Sequence, residues 1–137
     1  MAPKTEVTKA YLPPYQKVRE SALGGQMGSI AQFDEGKLRD LIKLVLRGTA
    51  FDEDWYVTQY PDVRDAVARG IFRSGKHHFI ESGYFEGRRP CQVVVDEEWY
   101  SKAYPDVGEG VEYGEISSCQ HHFDQYGEKE GRSPFED

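Results

Sequence analysis

The residues of this 137-residue chain that can do chemistry come in pairs. His77-His78 and His121-His122 are adjacent imidazole pairs, and Asp52-Glu53-Asp54 and Asp96-Glu97-Glu98 are acid clusters. Glu86-Gly87-Arg88 and Glu130-Gly131-Arg132 are matching acid–base triplets, and Cys91 and Cys119 are the thiols. Imidazoles bind metals and move protons, but neighbours on a helix point about 100° apart, so one His-His pair chelates an ion poorly. No Cys-x-x-Cys or His-x-x-x-His spacing supports zinc. His77 and His121 instead stand three residues after Ser74 and Ser118, the N3 place of a capped helix, which turns His78 and His122 inward beside Phe79 and Phe123. A structural role and no metal site are expected.

The acid clusters lack the alternating oxygens, central Gly and final Glu of a calcium loop. They suit first turns of helices, where carboxylates meet the positive end of the dipole. A nucleophilic cysteine needs a histidine and an orienting group in space. Cys119 lies two residues before His121, a spacing that faces them apart on a helix. Reduced, inert thiols are expected. Arg88 and Arg132 can each grip a carboxylate with two parallel hydrogen bonds. Asp62 and Asp106, or the first-turn acids, are the available partners for a salt bridge that closes the fold locally; the alternative is recognition of an acidic or phosphate ligand. No glycine-rich phosphate loop or nucleophile elbow is present. Nothing assembles into a catalytic constellation, so the reading is not an enzyme and no cofactor.

Trp55, Tyr56, Tyr60 and Trp99, Tyr100, Tyr104 form the aromatic counterpart. Adjacent Trp and Tyr cannot both enter one core from one helix. Core packing of the Trp and one Tyr per set is expected, with the remaining rings near the surface, where rings serve protein interfaces or stack on sugars.

The pairing has one cause. Residues 51–90 and 95–134 align without a gap at an offset of 44, with 19 of 40 positions identical. The chain reads as a leader of 1–50 followed by repeat modules 51–90 and 91–137, one compact domain overall. The formal charge of −7 is unevenly spread, with +3 on the leader, −1 on the first module and −9 on the second. Acidity argues against nucleic acid, and no apolar run reaches the roughly 18 residues of a membrane span. The start, Met1 to Glu6, has no apolar h-region, so no secretory signal and a cytoplasmic location are expected.

The elements that must position these residues are helical. Asp52 caps a helix through Trp55 and Tyr56, stopped before Pro61, which opens a second helix ending at Gly70. Ser74 caps a third helix, which Gly83 ends. The second copy repeats every start and stop, though Gly108 and Gly110 weaken its middle helix by roughly 1 kcal/mol each. The fold class is therefore all-α, with two tandem modules of about three short helices each after an N-terminal helical segment. In that segment Leu38, Leu41, Ile42, Val45 and Leu46 form an apolar stripe between Asp34 and Gly48, expected to pack on the first module. Upstream, Pro13-Pro14 opens a weaker helix through Val18 and Leu23, and residues 24–29 read as a flexible joint.

The run Trp55-Tyr56, Tyr60-Pro61-Asp62-Val63, His78-Phe79, Gly83 and Glu86-Gly87-Arg88 resembles a bacterial helical repeat of roughly the pattern D..YL..YPDV……A..HY..YG..EGR.P. Such repeats are appended to glycosyltransferases and polysaccharide-biosynthesis proteins, and similar ones occur in surface-layer-like and calcium-repeat proteins. The resemblance covers both copies and not residues 1–50. It departs from the pattern at His77 and His121. It implies a non-catalytic module serving a surface-polysaccharide or envelope system.

The functional expectation is a binding or adaptor protein with a protein partner, met by the 38–46 helix and the exposed rings. A small-ligand or glycan binder using Trp55, Tyr56, Tyr60, Arg88, Trp99, Tyr100, Tyr104 and Arg132 is the alternative, and a histidine-based metal protein stands third. Two copies are fewer than a solenoid usually needs, so face-to-face packing of the copies or formation of a homo-oligomer is expected.

Overall fold

A computed structural model describes residues 11–23 and 34–137. Residues 24–29, read above as a joint, lie outside the described residues. The described chain is all-α, and no strand occurs in it. Its contacts divide it into two units, Pro13–Gln92 and Val93–Asp137, the latter taking in Tyr11 and Leu12.

In the first unit, α1 spans Tyr15–Leu23 and α2 spans Glu35–Leu46. Asp34 caps α2 by accepting from the Gly36 N–H at 2.9 Å. The apolar stripe of α2 divides between its faces: Leu38 and Leu46 are buried and Ile42 half-buried, while Leu41, Leu44 and Val45 are exposed. Spacing of four residues puts 38, 42 and 46 on one side, and that side rests on the turn Phe79–Gly83 of the first copy, where the stripe was expected to pack. Tyr15 is buried edge-on between Tyr84 and Phe85, and Tyr84 donates its hydroxyl hydrogen to the Pro13 carbonyl at 2.7 Å.

The repeated sequence builds α3 (Glu53–Gln59), α4 (Pro61–Ala68) and α5 (Gly75–His78). Tyr60 is held extended at φ −121° by the proline after it, which forces the corner between α3 and α4. Beyond α5 the chain does not continue as an α-helix. Phe79–Gly83 forms one π turn, π1, closed by an i to i+5 bond from the Tyr84 N–H to the Phe79 carbonyl at 2.9 Å. The exit strap returns to the beginning, where the Asp52 N–H donates to the Pro90 carbonyl at 3.0 Å.

The second unit has the same order, α6 (Glu97–Ala103), α7 (Pro105–Glu112), α8 (Cys119–His122), a π turn π2 (Phe123–Gly127) and α9 (Glu128–Glu130). Its core joins Val93, Val95, Tyr100, Val107, Cys119 and Phe123, with Tyr11 set edge-on against Phe123 at 5.8 Å. The Asp96 N–H donates to the Pro134 carbonyl at 2.9 Å.

Two sequence expectations change. Gly83 and Gly127 are not helix stops. A Cβ on either would collide with the hydroxyl of Tyr56 or Tyr100, so they are bare to let a tyrosine dock. The stops are Gly87 and Gly131, both at φ +82°, where the Arg88 and Arg132 N–H groups reach back to the Gly83 and Gly127 carbonyls at 2.9 Å in a Schellman closure. Gly108 likewise is more than a weak point in α7, because a Cβ there would come within 2.5 Å of the Ser101 carbonyl oxygen. Replacing Gly83 or Gly127 with Ala is expected to cost about 2 kcal/mol in urea unfolding, as overpacking does; an unchanged midpoint would show that the tyrosine has room to move.

Candidate functional site

The chemically capable residues converge, within each unit, on the junction of the three repeat helices. Tyr56 and Tyr100 are fully buried. A hydrogen bond of 2.9 Å joins Tyr56 Oη to His78 Nδ1, and one of 3.0 Å joins Tyr100 Oη to His122 Nδ1. Phe72 stands perpendicular to the His78 ring at 4.8 Å. Burial holds the His78 imidazole below its ordinary proton affinity, with Glu86 and Asp62 opposing and Arg88 and His77 reinforcing the shift. Burial also pushes the Tyr100 phenol up to about 12 and the Tyr56 phenol further. These histidines thus face inward, as the capping argument requires. Ser74 Oγ accepts from the His77 N–H and Ser118 Oγ from the His121 N–H, both at 3.0 Å.

Of the Trp and one Tyr expected in each core, the Tyr is there and the Trp is not. Trp55 and Trp99 are half-buried, set edge-on against Tyr60 and Tyr104 at 6.1 and 6.0 Å. Tyr56 and Tyr100 reach inward because Gly83 and Gly127 leave room there, and they offer no surface to a glycan or a partner. Tyr60 and Tyr104 are half-buried, and their hydroxyls accept from the Arg89 and Ser133 N–H groups at 3.1 and 2.8 Å.

Arg88 and Arg132 close their units. The Arg88 terminal nitrogens donate to both Asp62 oxygens at 2.9 and 2.7 Å, and Nε donates to Glu86 at 2.9 Å. Arg132 does the same with Asp106 and Glu130. Each guanidinium also lies over a ring, Tyr60 at 4.9 Å and Tyr104 at 4.8 Å. The hydrogen bonds from Arg88 and Arg132 hold the Asp62 and Asp106 carboxyls below their usual range. Both arginines offered above as ligand-binding groups are therefore engaged by the chain itself.

Glu53 and Glu97 do more than face their own helix dipoles. Glu53 crosses to α5 and accepts from the Gly75 and Lys76 N–H groups at 2.5 and 3.0 Å. Glu97 accepts from Cys119 and Gln120 at 2.8 and 3.0 Å. The sequence held a signal for this, since Glu53 and Glu97 are identical across the offset while the following Asp54 and Glu98 differ. Cys119 is buried, its Sγ directed at the Glu97 carbonyl at 3.7 Å. Burial, the Glu97 hydrogen bond and the Glu97 charge push its thiol up to about 12, far from the thiolate a nucleophile requires. Burial also raises the Cys91 thiol. Among the described residues no three His, Cys, Asp or Glu side chains gather into a metal-sized cluster.

No protein-family model, curated protein or solved structure matches this chain.

Because folding lowers the proton affinity of His78, the unfolded chain binds more protons as the pH falls below about 6.5. Its contribution to stability is therefore complete above that pH and is lost as the pH falls. The urea midpoint is expected to drop between pH 7.5 and 5.5, and to drop less in H78Q; equal drops would take His78 out of the titration. R88K and R132K, which lose the two-pronged grip, are each expected to cost about 0.5–1 kcal/mol in the same assay, modest because the aspartates are 63 % exposed.

Proposed function

We propose that the chain is a non-catalytic binding protein made of two copies of one module, acting as an adaptor for a protein partner. One observation carries this reading. The side chains whose types suggested chemistry are spent within the fold: His78 and His122 on buried tyrosines, Arg88 and Arg132 on aspartates, Glu53 and Glu97 on backbone N–H groups. Among the large apolar side chains presented outward, Ile71, Val94, Tyr113 and Tyr126 stand on other segments, whereas Leu41, Leu44 and Val45, exposed at 51, 59 and 64 %, share one helix. These positions stand at i, i+3 and i+4 on α2, the spacing with which a helix meets a protein surface.

The resemblance to repeats of polysaccharide-biosynthesis proteins supports a partner in a bacterial envelope system, with the chain acting in the cytoplasm. No helix of the described residues is long and apolar enough to cross a membrane. The glycan alternative loses Tyr56 and Tyr100 to the core and finds Arg88 and Arg132 already hydrogen-bonded. Cross-linking followed by affinity purification from the source cells tests the proposal, with the wild-type chain beside L41E/V45E. The adaptor reading expects a protein that is cross-linked by the wild type and lost with the variant. A partner set identical for the two chains, or no cross-linked protein, would overturn it.

A further inference from the structure

An open cleft of about 360 Å³ lies in the first unit, between the end of α2 and the start of α5, lined by Arg47, Arg73, Ser74, Lys76, His77, Ile80 and Glu81. We propose that it binds the phosphoryl or pyrophosphoryl group of a small ligand, independently of any protein partner.

Its charge is what sets it apart from a solvated surface. Arg47 and Arg73 have no carboxylate partner among the described residues, unlike Arg88, which has two. Lys76 Nζ donates at 3.0 Å to the Arg47 carbonyl, a neutral acceptor that fixes the ammonium in place and leaves its charge uncompensated. Glu81, the acid of the lining, is held by Lys43 Nζ at 3.1 Å, so its charge is already met. Glu53 is hydrogen-bonded to the backbone N–H groups of Gly75 and Lys76 and keeps its negative charge beside the cleft, where Arg47, Arg73 and Lys76 outnumber it. Guanidinium groups grip phosphoryl oxygens through paired N–H donors and an ammonium adds a point charge. Ser74 accepts from the His77 N–H and keeps its own O–H free to donate. Ile80 gives the cleft one apolar wall, suited to the organic part of a phosphate ester.

The second unit is an internal control. At the offset of 44, Ser117 stands for Arg73, Gln120 for Lys76 and Asp124 for Ile80. Gln120 turns its amide to Val93, Val95 and Asp124, at 2.8–3.1 Å, rather than outward. The same backbone therefore carries the cations in one unit only, and R73S/K76Q gives the first unit residues its own fold already accommodates in the second.

Amide resonances of the full chain, followed at low ionic strength while inorganic phosphate, inorganic pyrophosphate or phenyl phosphate is added, test this. The expected result is saturable movement of the Ser74, Lys76 and His77 signals, weakened more than about tenfold in R73S/K76Q, since charged hydrogen bonds are lost. R64Q, which removes a cation elsewhere in the unit, is expected to bind as the wild type does. Tighter binding of phenyl phosphate than of phosphate would support an esterified ligand, and the reverse a free anion. First-unit signals away from the cleft, such as those of Tyr56 and Val63, report whether the variant remains folded, and R73S alone repeats the test with Lys76 in place. Movement without saturation, equal weakening in R64Q, or unaltered binding in R73S/K76Q would overturn the proposal.

Discussion

A tyrosine hydroxyl buried against a histidine nitrogen is the contact on which each unit depends. Tyr56 and Tyr100 carry polar atoms into otherwise apolar cores, and a buried hydroxyl left unpaired costs more than the bond returns. His78 and His122 supply the partner, and no buried side-chain polar atom among the described residues lacks one. Much else follows from making room for that bond. The chain widens into a π turn where the histidine-bearing helix passes the tyrosine, and glycine stands where the hydroxyl arrives.

The remaining polar groups tie the short helices together around this centre. Helices of four to eight residues are too short to persist alone. Asp52 caps its own helix α3, Glu53 reaches from α3 to cap α5 together with Ser74, and the Asp62–Arg88 pair joins the corner after α3 to the exit of the π turn. Each such contact recurs 44 residues later with nearly the same length, as the Glu97, Ser118 and Arg132 bonds show.

Local signals were the legible ones. The proline corners, the Asp and Ser caps, the inward His78 and His122 and the Asp62–Arg88 pairing follow from residue type and spacing. The π turn was not legible, because no residue type encodes an extra residue per turn and Gly83 looks like an ordinary helix stop. One core Tyr per copy is legible, but that Tyr56 is fully buried and Trp55 only half-buried depends on that turn, which spacing does not encode. The reach of Glu53 to α5 required the angle between two helices, which spacing along one chain does not give. The period of the α2 stripe marks one broad apolar face and cannot say which side of it finds a neighbour. For the site, the sequence pointed to Arg88 and Arg132 through their regularity. Of the uncompensated cations, Arg73 and Lys76 differ between copies at the aligned positions and Arg47 lies in the leader, so the repeat pattern does not point to them.

The central claim is that the histidines serve the fold by pairing with buried tyrosines. A double-mutant cycle on Tyr56 and His78, with Y56F, H78N and the combined variant compared by urea unfolding near pH 7.5, measures that pairing directly. The account expects a coupling of about 1 kcal/mol or more, the double variant being less destabilised than the sum of the single ones. Strictly additive losses would mean that the hydroxyl and the imidazole act independently, and would contradict it.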